Sequence, residues 1–238
     1  MTTKRHKPLY KKVLTYKENI FISKKFQKFQ KKKWFLYRLK VKRLERRVKN
    51  NYKLFNQNLL YIPRFLSRRK FLFKNNLLTR QKLSLFYGEL SYAYLRKLKT
   101  LSLKQYKTNT SSFYYMFFFL KNLESRLDVI LFRSHFTTSL KQSRQLIYQG
   151  HVKVNGKPNL TRSCRIRKGD IIEFSEKIVP LIHFNVLNSN LWPIPPKNLQ
   201  INYKTSTIIF ANDLNLSDLS AQSPFFFNLN SIFTKLFS

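Results

Sequence analysis

The sequence predicts an α+β fold: a helical body with an inserted module of two helices followed by a small β-hairpin unit, a basic N-terminal extension, and a C-terminal segment that returns to the body. Three observations predict it. Apolar residues recur at helical spacing through lysine- and arginine-rich stretches before residue 100. Residues 124–174 then carry, in order, two helix-start signals, a glycine stop, an Asn-Gly turn and a β-prone run. Residues 199–210 alternate in polarity and then turn β-prone, as a strand pair does. The expected boundaries are a basic arm and amphipathic helix at 1–50, a body at 51–122 and 183–238, and the module at 123–182.

Charge narrows the function classes. The chain of 238 residues holds 47 Lys and Arg against 10 Asp and Glu, a net +37. Self-repulsion of that size works against a compact state, and a polyanion is the simplest partner that relieves it. The excess is +17 over residues 1–50, +12 over 51–110, +7 over 111–175 and only +1 over the remainder. The anionic partner is therefore expected along the first three quarters of the chain, and protein packing along the tail. Hydrophobic content of 43% supports a real core. A single cysteine, Cys164, excludes an internal disulfide and a multi-cysteine zinc cluster. His6, His135, His151 and His183 lack ligand spacing, so no metal and no other cofactor is expected.

Taken in order, residues 1–30 read as an extended basic arm. Tyr37, Val41, Leu44 and Val48 then define a basic amphipathic helix over 31–49. After Pro63, two or three short helices are expected between about residues 64 and 100, with Gly88 at a helix end and Arg64, Arg68, Arg69, Arg80 and Lys82 on the exposed side. Residues 101–112 read as a linker. The run Phe113–Leu120 is apolar but too short to span a bilayer, so it is expected to be buried, and no membrane span is expected.

In the module, Ser125 with Asp128 and Ser139 with Gln142 have capping-box spacing. Leu127, Ile130 and Leu131 form the apolar stripe of the first helix. The second helix places Leu140, Ser143 and Ile147 on one face and Lys141, Arg144, Gln145 and Tyr148 on another. That second face can neutralise phosphates, donate to base or sugar edges, and stack. Gly150 stops the helix. Val152 and Val154 point inward around Lys153, Asn155–Gly156 makes a hairpin turn, and a second turn at Lys168–Gly169–Asp170 leads into a strand at Ile171–Phe174. Trp192–Pro196 reads as a stiff connector and residues 223–237 as an apolar piece packed on the body.

The segments SRLDVILFRSHF, SRQLIYQGHVKVNGK and RIRKGDIIEF resemble the S-four RNA-binding domain of small-subunit ribosomal proteins, some pseudouridine synthases and bacterial-type tyrosyl-tRNA synthetases. TRQKLSLFYGEL, at Thr79–Leu90, resembles the helical body of the ribosomal family, which the enzymes lack. LQINYKTSTIIF, at Leu199–Phe210, is similar to the returning tail of organellar forms. The pattern departs at Leu140, where the family usually has Arg, at Gln149, where His is common, and at Ser84, which replaces a basic residue. The resemblance implies a non-enzymatic constituent of the small ribosomal subunit. It would bind small-subunit rRNA at a multi-helix junction, support assembly and translation, sit beside neighbouring small-subunit proteins near the mRNA entry side, and not form a homo-oligomer. The implied RNA contacts are Arg126, Lys141, Arg144, Gln145, Lys153, Asn155, Lys157, Arg165, Arg167 and Lys168 in the module, and Arg64, Arg68, Arg69, Arg80, Lys82 and Tyr87 in the body. The alternative is an RNA-modifying enzyme of the pseudouridine synthase type that uses the same module. Against it, no acidic residue outside the module lies in a Gly-rich or basic catalytic setting, and the chain has only 4 Gly. Dominance of residues with A/T-rich codons points to an organelle genome, and the expected location is the mitochondrial matrix, on the mitochondrial ribosome.

Overall fold

A computed structural model describes residues 14, 16, 20, 30–39, 42, 69–108, 115–188 and 196–212. The chain divides into two compact units, one of residues 1–89 with 220–238 and one of Leu90–Leu219. Arg64, Arg68, most of the arm, Val41, Leu44 and Val48, the connector residues 192–195 and the tail at 223–237 lie outside the described residues.

In the first unit, a 3-10 turn at Lys32–Trp34 runs into helical residues 35–39. Trp34 and Tyr37 are buried and meet edge to face, with ring centroids 5.5 Å apart. Helix α1 follows at Arg69–Phe86. It ends in a Schellman arrangement, with Gly88 N–H donating to the Leu85 carbonyl at 3.1 Å and Glu89 N–H to the Ser84 carbonyl at 2.7 Å.

The second unit begins with α2 at Tyr92–Thr108 and α3 at Tyr115–Glu124. The short helices expected over 64–100 are thus two long ones. Residues 101–108 are helix instead of linker, because Ser102 and Gln105 on α2 take hydrogen bonds from the Asn122 amide on α3, at 3.3 and 2.8 Å. Phe117–Leu120 are buried, as their apolar character predicts.

Helix α4 covers Leu127–Arg133 and α5 Leu140–Tyr148. Ser139 caps α5 by accepting from Gln142 N–H at 3.3 Å, while Gln142 Oε1 accepts from Thr138 N–H at 2.8 Å. The expected box at Ser125–Asp128 does not form. The α4 cap position is Arg126, with no side-chain cap, and Asp128 is turned to arginines instead. At the end of α5, Gly150 has φ +75°, and His151 N–H reaches back to the Leu146 carbonyl at 3.1 Å.

Five strands make one antiparallel sheet in the order β2-β1-β3-β5-β4: β1 Val152–Val154, β2 Lys157–Pro158, β3 Ile171–Phe174, β4 Leu199–Asn202 and β5 Thr207–Phe210. Asn155 and Gly156 have φ +52° and +76°, the type I′ geometry that joins β1 to β2 in register Val154↔Lys157. Helix α6, Val179–Leu187, bridges β3 and β4 in sequence.

The strand pair expected in a separate body belongs to the module's own sheet. Ile172 on β3 pairs with Ile208 on β5, and Ile171 with Ile209. The core explains why. Leu127, Ile130, Leu131, Ile147, Val152, Ile166, Ile172 and Ile182 cluster with Leu199, Ile208 and Phe210, all buried. Removing β4 and β5 would expose that apolar face and leave β3 as an open edge.

Candidate nucleic-acid interface

The sheet and two helices bring distant cations onto one unit. The segment before β3 runs beside the start of α4. Leu127 N–H donates to the Cys164 carbonyl and Ile166 N–H to the Ser125 carbonyl, both at 2.9 Å, with Arg126 opposite Arg165. Arg165 therefore stands at the α4 terminus, exposed. Lys141, Gln145, Lys153, Lys157, Arg167 and Lys168 are also exposed.

Two turns far apart in sequence are tied together. The Asn155 amide donates to Asp170 Oδ1 at 2.9 Å and accepts from Ile171 N–H at 2.9 Å. Asp170 Oδ2 also accepts from Arg167 N–H at 2.7 Å. Asn155 is expected from sequence as an RNA contact, but its amide already holds the turn of Lys168–Asp170 against the hairpin. Lys157 follows the hairpin turn, and Arg167 and Lys168 lead into the turn tied to it.

Arg126 departs furthest from expectation. Its side chain is 1% exposed, and its guanidinium grips Asp128 with two hydrogen bonds, Nε to Oδ1 at 2.9 Å and Nη2 to Oδ2 at 2.8 Å. Its Cζ lies 5.0 Å from the centroid of the Tyr94 ring on α2. Burial opposes its charge, yet the Asp128 hydrogen bonds and charge outweigh that and hold its pKa above the ordinary arginine value. A phosphate has no access to it, so Arg126 is removed from the set of expected contacts. Tyr87, 3% exposed and edge-on to Phe86, is removed for the same reason.

Asp128, fully buried, also accepts from Arg144 Nε at 2.8 Å. Arg144 is 15% exposed, so the carboxylate holds a side chain that is not wholly buried. Sequence reasoning missed this role because the Ser125–Asp128 spacing favoured a cap. The available signal was a lone acid between cations on an otherwise apolar helix. A second pair, Arg133 with Glu124 at 2.8 Å, joins the ends of α3 and α4. One departure from the family pattern has a structural place. Leu140 is buried in the α5 core face, whereas Lys141 beside it is exposed.

In the first unit, Arg80 and Lys82 are partly exposed on α1, which carries no acidic residue, and Arg69 opens that helix. Among the described residues no group of three or more His, Cys, Asp and Glu is placed to hold a metal ion, and no helix is long and apolar enough to cross a membrane.

The helix pair α4–α5, of which α5 is capped by Ser139, and the type I′ hairpin with its exposed cations lie within residues 125–172, which match the family model of the S4 domain. Curated relatives extend the match. The chain is 40% identical over 99 residues to small ribosomal subunit protein uS4 of Kosmotoga olearia, covering 42% of this chain and 44% of that protein. It is 34% identical over 113 residues to uS4 of Rickettsia prowazekii, covering 47% and 52%. It is 31% identical over 146 residues to uS4 of Rickettsia canadensis, covering 60% and 67%. The chain belongs to the uS4 family of small ribosomal subunit proteins. It spans about half the length of the first two of these relatives.

Proposed function

We propose that the chain is a structural constituent of the small ribosomal subunit that binds small-subunit rRNA and supports its assembly and translation. The observation that carries this reading is the extent of the family match. It runs to 146 residues with one relative, well beyond the 48 residues of the module that RNA-modifying enzymes share. The relatives bear the name of a ribosomal protein, and the pseudouridine synthase alternative gains nothing from them.

The mechanism is phosphate neutralisation with recognition of shape. A-form RNA hides its major groove, so a rigid array of cations reads the arrangement of helices instead of their sequence. In the module the proposed contacts are Lys141, Arg144, Gln145, Lys153, Lys157, Arg165, Arg167 and Lys168, with Asn155 holding two of the turns that present them. In the body they are Arg69, Arg80 and Lys82, with Arg64 and Arg68 beside them in sequence. Neighbouring small-subunit proteins are the proposed protein partners, and mRNA at the entry side a further one.

The proposed location is the mitochondrion. The matched relatives are bacterial, and the reading rests on the A/T-rich-codon composition, including 23 Phe and only 4 Gly. Sedimentation of the native protein tests both statements. It is expected to co-migrate with the small subunit of mitochondrial ribosomes. Migration free of ribosomes sinks the ribosomal reading, and co-migration only with ribosomes of another compartment sinks the location.

A further inference from the structure

The cationic face of α5 ends in an aromatic ring that the fold does not use. Tyr148 closes the helix and is 81% exposed. The unit's aromatic core is elsewhere, where Phe136 meets Phe174 and Tyr203 edge-on at 5.4 and 5.6 Å. One exposed ring is ordinary on any protein. Its neighbours set this one apart. Helical spacing puts Lys141, Arg144 and Gln145 on the same face, and α5 carries no acidic residue. Leu160, itself 62% exposed, lies against the glycine that ends the helix, its Cδ2 3.5 Å from where a Cβ on Gly150 would stand. The end of α5 thus offers an exposed ring on the face that carries two cations and an amide, with the exposed Leu160 against the glycine that follows.

We infer that Tyr148 is a stacking platform for one unpaired nucleobase of the bound RNA, with Gln145 meeting the base edge and Lys141 and Arg144 the flanking phosphates. The inference rests on the RNA-binding reading above and adds a base-recognition site to it. The chemistry selects this occupant. The cations require an anionic backbone, the ring requires a planar partner, and the amide requires a polar rim. An acidic peptide would satisfy only the cations. Within A-form RNA the bases are stacked on each other, so a nucleotide at a bulge, loop or junction is the one that presents a free face. The site therefore distinguishes a junction with a looped-out nucleotide from a continuous duplex, which phosphate contacts alone do not do. Every base has such a face, so preference among the four bases comes from Gln145 and is weak.

The test uses the full chain and an in vitro transcript of small-subunit rRNA from the same genome, with affinity measured across a salt series. Tyr148→Ala is expected to weaken binding about tenfold, the scale of one base–aromatic stack, with the slope of log affinity against log salt unchanged. Tyr148→Phe keeps the ring and is expected to bind within about twofold of the parent. An unchanged affinity for Tyr148→Ala overturns the platform and points the ring to a protein neighbour. A flatter salt slope also overturns it, since the ring would then act only by placing cations. Failure of the parent chain to bind the transcript removes the RNA-binding reading itself, and the platform with it.

Discussion

Helix α1 and the pair α4–α5 are both basic, yet only the pair carries a carboxylate in its own sequence. Helix α1 carries Arg69, Lys70, Lys74, Arg80 and Lys82 and no carboxylate of its own. In α4–α5 a single buried carboxylate, Asp128, takes hydrogen bonds from two arginines, and Glu124 takes a third. Massed cations supply attraction that any polyanion satisfies. The buried acid Asp128 fixes Arg126 inside the module and holds Arg144, which stays partly exposed. The module carries the smaller share of the positive charge, and the stretches before it the larger.

The largest test of this contrast concerns what the module needs in order to be rigid. A fragment of residues 120–178 is expected to remain unfolded, whereas 90–219 folds, as read by circular dichroism and amide exchange. The shorter piece lacks Leu199, Ile208 and Phe210, each a buried side chain contributing roughly 1.5–3 kcal/mol. A stable, cooperative 120–178 fragment would show that β4 and β5 are an appendage.

Next in size is Asp128→Asn. It leaves the fully buried Arg126 without its counter-charge and releases Arg144, at an expected cost of about 3–5 kcal/mol in denaturant unfolding. A loss within about 0.5 kcal/mol would mean that the arginines are held by packing alone. The same geometry makes charge reversal at Arg144 a mixed experiment, because a glutamate there would face Asp128 and disturb folding as well as binding.

Asn155→Ala is a smaller perturbation. It removes two hydrogen bonds between turns and places alanine at φ +52°, an expected loss of about 1–2 kcal/mol. RNA affinity should fall while the salt slope stays put, since no cation is lost. A lowered slope would mean that Lys157 or Lys168 had swung away from its phosphate. The smallest effects are those of single exposed cations. Lys141→Ala is expected to lower the salt slope by about one and leave stability within about 0.5 kcal/mol, and the double change Arg80→Ala with Lys82→Ala to lower the slope by about two. An unchanged slope in either case removes that residue from the contact.

The structure bears out several sequence readings whose signal is local. The Ser139 cap, the Gly88 and Gly150 stops and the Asn155–Gly156 hairpin all involve groups within a few residues of one another, so their chemistry is legible as spacing. The α5 faces are legible for the same reason: Leu140, Ser143 and Ile147 are buried, and Lys141, Gln145 and Tyr148 exposed. Arg126 and Asp128 were misread because their partners lie elsewhere. Asp128 meets Arg144 across 16 residues, and Arg126 meets Tyr94 on another helix. A buried arginine and a surface arginine have the same letter, and only the fold distinguishes them.

Composition, spacing and turn chemistry by themselves determined the α+β class and the module's helices and hairpin, and the charge balance set the expectation of a polyanion. Tertiary structure alone decided that the C-terminal strand pair completes the module's sheet, that Arg126 is internal, and that Arg144 is held from within. The division has a physical cause. Dihedral preferences, caps and amphipathic faces act over one or two turns of chain. Strand pairing and ion pairing depend on which residues collapse together, and burial of the shared apolar core sets that.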